Sequence, residues 1–225
     1  MSDTAAFQTK NLESLISSGY VKMVPRVFVM DQDKKEKDVK SGFESKELVL
    51  NLVRRSREGD MQAMGLLYEH YKGRLFSLAY RYTYNSAASE DLLQDIFFKV
   101  FTHLGTLEKD EAFNGWMYRI AVNTCLSYLR SHKKVLQQSV SLRDMEATVG
   151  ENVQSQSENM MDKPLEEAIH DLPNKLKSVF LLHDVQGFKH REIAQILGCK
   201  VGTSKSQLFK ARMRIRKKIK NKQLL

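Results

Sequence analysis

Apolar residues recur three and four positions apart along most of this chain, and no convincing two-residue alternation competes with them. That spacing is the repeat of one helix face, so the pattern predicts an all-α protein. From Ser45 the stripe runs through Leu48, Leu52 and Val53, then Leu66, Leu67, Leu75, Leu78 and Ala79. It widens through Leu92, Leu93, Ile96, Phe97, Val100, Phe101 and Leu104, the breadth expected of a helix packed on a core. Ser86 or Ser89 is the expected N-cap of that helix, with Glu90 and Asp91 placed where the helix dipole favours negative charge. Only three prolines occur, Pro25, Pro164 and Pro173, so little breaks these helices.

The pattern fails in two stretches, and the failures divide the chain. Residues 1–44 are poorly patterned, and Asp31 to Asp38 is dense in mixed charge. They read as a flexible N-terminal extension; its apolar piece, Val24 to Met30, either docks on something or belongs to a disordered tail. Residues 136–163 are dominated by Gln, Ser, Glu and Asn, a flexible-linker composition. The expected organisation is two small helical domains, 45–135 and 164–225, joined by that linker. Pro164 suits the first turn of the second domain. That domain is too short for a large core and depends on a few short helices packing together.

Composition narrows the partners. Charged residues make up 28% of the chain and the formal net charge is +9. This balance favours nucleic acid or an anionic membrane surface, or marks a generally basic soluble protein. No run approaches the roughly 20 apolar residues that cross a bilayer, and no secretion signal opens the chain. No membrane insertion and a cytoplasmic location are therefore expected. Cys125 and Cys199 lack neighbours at metal-ligand spacing, so both read as small apolar residues in a reducing compartment and no metal site is expected. With no nucleophile–base pair either, neither enzymatic activity nor a cofactor is expected.

The segment from Lys189 to Leu208 has the layout of a helix-turn-helix. Ile193, Ala194 and Leu197 form the inner face of a first helix, and Ala194 is small enough to let a second helix cross closely. Gly198 ends the first helix by adopting a left-handed backbone. Val201 reads as an apolar plug in the turn, and Leu208 faces inward on the second helix. After Glu192 no Asp or Glu occurs, whereas Lys and Arg recur to Lys222. Such a helix repels itself unless a polyanion neutralises it. The first residues of a recognition helix reach base edges, which points to Thr203, Ser204, Lys205, Ser206 and Gln207, with Phe209 and Lys210 a turn later. Thr203 suits a phosphate, Lys205 and Gln207 suit guanine and adenine edges, and Phe209 meets a thymine methyl or packs.

Two earlier segments carry further candidates. In Glu90 to Phe101 the apolar stripe faces inward and leaves Asp91, Gln94, Asp95, Phe98 and Lys99 outside. Phe98 is either a protein-contact residue or an ordinary surface side chain. In Phe113 to Lys134, Met117, Ile120, Ala121, Thr124 and Tyr128 share one face, and Trp116, Arg119, Asn123, Ser127 and Arg130 another. An aromatic beside a cation and an amide can stack an unpaired base, though Trp116 and Tyr118 also suit a core.

Taken in order, Glu90-Asp91-Leu92-Leu93-Gln94-Asp95-Ile96-Phe97, the Phe113 to Asn123 segment, Leu172-Pro173 and Gly202 to Ser206 resemble sigma factors of bacterial RNA polymerase, of the extracytoplasmic-function type. The resemblance covers about residues 47–134 and 164–220. It implies that Asp91, Gln94, Asp95, Phe98 and Lys99 grip the clamp helices of the largest polymerase subunit. It implies that the loop from Gly105 to Ala112, with Thr106 and Leu107, takes up a flipped base of the non-template strand at the −10 element. Trp116, Tyr118, Arg119, Asn123 and Arg130 would then face that strand. Thr203, Ser204, Lys205, Ser206, Gln207, Phe209, Lys210 and Arg212 would read the −35 element as duplex. Further implied partners are the flap of the second-largest subunit and an anti-sigma factor able to hold the protein at the membrane, with a role in stress response.

Some positions depart from that family's pattern. Lys189 stands where Ser or Thr usually caps a helix, so a frayed start is expected there. His183 and Gln207 each replace a common Arg. Two rival readings remain open on residues alone. A stand-alone helix-turn-helix regulator leaves the aromatic-basic segment 113–134 without a task. A metal-dependent nuclease would need Asp91 and Asp95.

Overall fold

The computed structural model describes residues 38–140 and 163–222, and they are helical throughout, with short turns between. The expected flexible extension lies outside the described residues up to position 37, as does most of the expected linker (141–162). Two boundaries differ from expectation. The first helix, α1, spans Asp38–Arg57 and so begins inside the expected extension. The helix α4 spans Phe113–Val140 and runs on past residue 135.

Gly59, at φ +91°, turns the chain after α1. Asp60 then caps α2 (Met61–Thr83), its carboxylate accepting the backbone N–H groups of Gln62 and Ala63 at 2.9 and 3.1 Å. Arg55 donates to the same carboxylate at 2.8 Å. The N–H of Ala63 and the Arg55 guanidinium hold Asp60 below the usual carboxylate range. The next cap corrects the sequence reading. α3 spans Ser86–His103, but its cap is Asn85, which accepts the Ala88 N–H at 2.9 Å. Ser89 is fully buried and donates to the Asn85 carbonyl at 2.6 Å.

The described residues fall into two compact units, and the division does not follow the expected domain boundary. One unit takes the chain up to Leu75 and Leu93–Met117. Its core includes Val53, Leu67, Leu75, Ile96, Val100, Phe113 and Met117, all buried. Tyr68 packs on Phe97 at 4.7 Å between ring centres, and Tyr71 on Phe113 at 5.8 Å.

The other unit joins Phe76–Leu92 with everything from Tyr118 onward. Here α5 (Lys163–His170), α6 (Asn174–Phe180), a π-turn at Leu181–Val185, α7 (His190–Leu197) and α8 (Val201–Lys222) share a core with the ends of α2 and α4. Ser178 gives its proton to the Asn174 carbonyl at 2.8 Å, so the buried Tyr82 hydroxyl donates to Ser178 at 2.6 Å. Arg81 pairs with Glu166 at 2.8 Å. Tyr118 donates to Gln186 at 2.6 Å and meets Phe188 edge-on at 5.0 Å. Lys177 is only 3% exposed, with its ammonium 5.8 Å from the Tyr82 ring centre, and burial pushes its pKa down to about 8.

Candidate nucleic-acid interface

Gly198 adopts φ +63° and ψ 40°, the left-handed cap expected of it, and the Cys199 N–H closes the turn on the Ala194 carbonyl at 3.0 Å. The start of α7 is not frayed: Glu192 accepts the Lys189 backbone N–H at 2.7 Å, which replaces the missing Ser or Thr with half of a capping box. Ile193 and Leu208 are buried as expected, together with Ile196, whereas Ala194 and Leu197 are only part-buried. Val201 is 37% exposed and plugs nothing.

Along α8 the side chains of Thr203, Lys205, Ser206, Phe209 and Lys210 are exposed, and Gln207 is part-buried. Phe209, at 66% exposed, is a large apolar group held in water on a helix otherwise rich in cations. Two expected contacts need correction. Ser204 is fully buried and its hydroxyl lies 2.9 Å from His190 Nδ1, so it anchors α8 and does not face outward. Arg212 forms a two-pronged pair with Asp184 at 2.9 and 2.6 Å, so its guanidinium is already engaged by a carboxylate. Burial alone would raise Asp184, but hydrogen bonds from Arg212 and His183 hold it below the usual range.

On α4, Arg119, Asn123, Ser127 and Arg130 are exposed along one helical row, and Trp116 is part-buried against Phe113. The opposite face carries the buried Met117, Ala121 and Thr124. Tyr118 departs from the expected strand-facing role: it is 2% exposed and enclosed by Gln186 and Phe188.

In the first unit, the segment between α3 and α4 is two short 3₁₀ turns, Leu104–Thr106 and Asp110–Ala112. Thr106 is exposed and donates to the His103 carbonyl at 2.7 Å, while Leu107 is buried and so supports the segment from beneath. Asp110 is held by Arg54 at 2.8 Å and Arg57 at 2.6 Å. Hydrogen bonding from Arg54, then the charge of Arg57, keeps its carboxyl below the ordinary range. Sequence reading missed this pair of clasps, because partners more than 50 positions apart leave no local pattern. On α3, Asp91, Gln94 and Phe98 are exposed, Phe98 at 49%, and Asp95 pairs with Lys99 at 2.7 Å.

Residues 67–135 match Sigma-70 region 2, and residues 162–215 match Sigma-70, region 4. The ECF RNA polymerase sigma-E factor of Haemophilus influenzae is 32% identical over 75% of this chain and 93% of its own. The chain belongs to the ECF sigma factor family. The Escherichia coli sigma-E factor is 34% identical over 75% of this ECF sigma factor and 92% of its own length. The fold is similar to that of the sigma factor RpoE of Bartonella quintana, solved with the anti-sigma factor NepR (TM-score 0.54, 23% identity, 81% of this chain and 98% of that one). It is also similar to CnrH, solved with the cytosolic domain of CnrY (TM-score 0.56, 18% identity, 75% and 95%). As a sigma factor, the chain binds RNA polymerase and initiates transcription at promoters. Among the described residues, no group of three His, Cys, Asp or Glu could hold a metal ion, and no helix is long and apolar enough to cross a membrane.

Proposed function

We propose that this sigma factor reads promoters with two separate helical surfaces. The exposed row of α8, namely Thr203, Lys205, Ser206, Gln207, Phe209 and Lys210, takes the −35 duplex. The row of α4, with Trp116, Arg119, Asn123 and Arg130, together with Thr106, takes the unpaired non-template strand at the −10 element. Asp91, Gln94, Asp95, Phe98 and Lys99 on α3 bind the clamp helices of the largest subunit, and the domain containing α8 binds the flap of the second-largest. Leu107, Tyr118 and Ser204 support these surfaces from within.

The carrying observation is α8 itself, a helix with no acidic residue whose outer side holds Lys205, Phe209 and Lys210 in water directly after the Gly198 turn. No bond is made or broken: binding energy offsets the few kcal/mol of unstacking, roughly the cost of base extrusion. Tethering by polymerase raises the effective concentration of each surface for its DNA element. We place the protein in the cytoplasm without enzymatic activity and under control of an anti-sigma factor, because RpoE of Bartonella quintana, a solved protein of similar fold, is complexed with one. A stand-alone regulator is not favoured, since it gives the α4 row no task. In vitro transcription with core polymerase on a genomic library is the test. New start sites sharing two spaced elements are expected. A protein that neither joins core polymerase nor moves start sites would overturn the proposal.

A further inference from the structure

Two of the six histidines meet at the helix-turn-helix. His183 comes from the π-turn and His190 opens α7, and their rings lie 4.7 Å apart with an interplanar angle of 32°. Each ring commits its Nδ1 to the protein. His183 Nδ1 is 2.7 Å from the Asp184 carboxylate, and His190 Nδ1 is 2.9 Å from the buried Ser204 hydroxyl. Both rings are part-exposed, so Nε2 is the atom left to each for an outside partner.

The charges around the pair are mixed within the protein. The π-turn contributes Asp184, which Arg212 already binds. α8 contributes Lys205 and Arg212. Lys189, Arg191 and Glu192 flank His190 on its own element, and Glu192 is committed to the Lys189 backbone. Burial, then the positive charges of His183, Lys205 and Arg212, hold His190 below the ordinary imidazole range. Two imidazoles this close resist carrying two charges unless an anion joins them.

We propose that His183 and His190 form a proton-dependent clamp for one backbone phosphate of the −35 duplex, taking up a proton as DNA binds. The proposal rests on the reading of α8 as the −35 helix. In a helix-turn-helix the first helix crosses the DNA backbone while the second enters the groove; His190 opens that first helix, and His183 lies against it from the π-turn. An imidazolium Nε2–H makes a charge-assisted bond to a phosphate oxygen, whereas the neutral His183 ring keeps its one proton on Nδ1 toward Asp184 and has none on Nε2 to donate. An arginine here would bind at any pH; the histidines make the contact conditional. The sign follows from linkage. The DNA-bound state holds more protons than the free state, so affinity rises as pH falls through the imidazole range.

The test uses the full chain and a mixed-sequence duplex of about 25 base pairs, long enough for a helix-turn-helix footprint. Fluorescence anisotropy is read at constant ionic strength from about pH 8 to about pH 5.5, which spans the imidazole range. Affinity is expected to rise about tenfold or more across that range. In the His183→Asn/His190→Asn double variant the rise should shrink to about twofold, the background of the other four histidines. Asparagine at 190 retains a group that can bond Ser204. Ser204→Ala should weaken binding at every pH and keep the slope. An unchanged slope in the double variant overturns the clamp and leaves the α8 reading standing. A slope flattened by Ser204→Ala would mean the pair acts by posing α8, which also overturns phosphate contact. No duplex binding at any pH would overturn the clamp, while the α8 reading stands or falls on whether start sites move with core polymerase.

Discussion

The two long helices α4 and α8 both display polar rows to solvent, yet the rows differ in charge density and in side-chain chemistry. α8 carries Lys205, Lys210, Arg212, Arg214, Arg216, Lys217, Lys218, Lys220 and Lys222 within 22 residues. α4 spreads Arg119, Arg130, Lys133 and Lys134 over 28, and places an amide, Asn123, and a part-buried indole, Trp116, among them. A dense cation row acts at long range and loses strength steeply with salt, because its energy comes from released counterions. An indole with one cation and one amide acts at contact distance, through stacking and a few hydrogen bonds. Under the proposed reading, attraction to any duplex belongs to α8 and discrimination of exposed bases to α4.

The sharpest way to break this comparison is Leu208→Asp. Leu208 is buried under α8, and a carboxylate there should cost about 3–5 kcal/mol by lost packing and buried charge. Duplex binding should vanish, while binding of holoenzyme to a pre-melted fork should persist. Equal loss of both, in parallel gel-shift assays, would make the two helices one cooperative device. Lys177→Met should act in the opposite direction. It removes a buried ammonium and should stabilise the fold by about 1–3 kcal/mol at neutral pH. In the parent protein the folded pKa lies near 8, below the unfolded value, so stability should rise with pH from about 8 to about 10.5. Thermal melts across that range should show the rise in the parent and none in the variant.

Lys205→Ala should cost about 1–3 kcal/mol of discrimination at one or two upstream base pairs, measured by selection from a randomised site. Unchanged preference would exclude it as a base reader. The smallest effect expected is that of Asn123→Ala, about 1 kcal/mol for one lost hydrogen bond. Permanganate reactivity of unpaired thymines should fall several-fold with core polymerase affinity unchanged.

What the residues disclosed beforehand was what local spacing controls. Gly198 announced its own left-handed turn, and Leu208 its inward face, because both follow from helix geometry over a few positions. The outward row Arg119, Asn123, Ser127, Arg130 followed from the same periodicity. What stayed hidden depended on distant partners. Ser204 read as polar and available until His190 closed over it, and Tyr118 suited both strand and core until Phe188 covered it. Arg212 read as a free cation because Asp184 lies 28 positions earlier. The capping of α7 by Glu192 does not show in the Lys189 side chain, because the capped group is the Lys189 backbone N–H.

The hydrogen bond from Tyr82 to Ser178 joins positions 96 apart between two buried side chains. Its consequence concerns dissection. Cutting the chain near residue 150 would leave a raw tyrosine face on one fragment and the unshielded Lys177 ammonium on the other. Fragments made this way should be sticky and poorly soluble, and co-expressing both halves should rescue each.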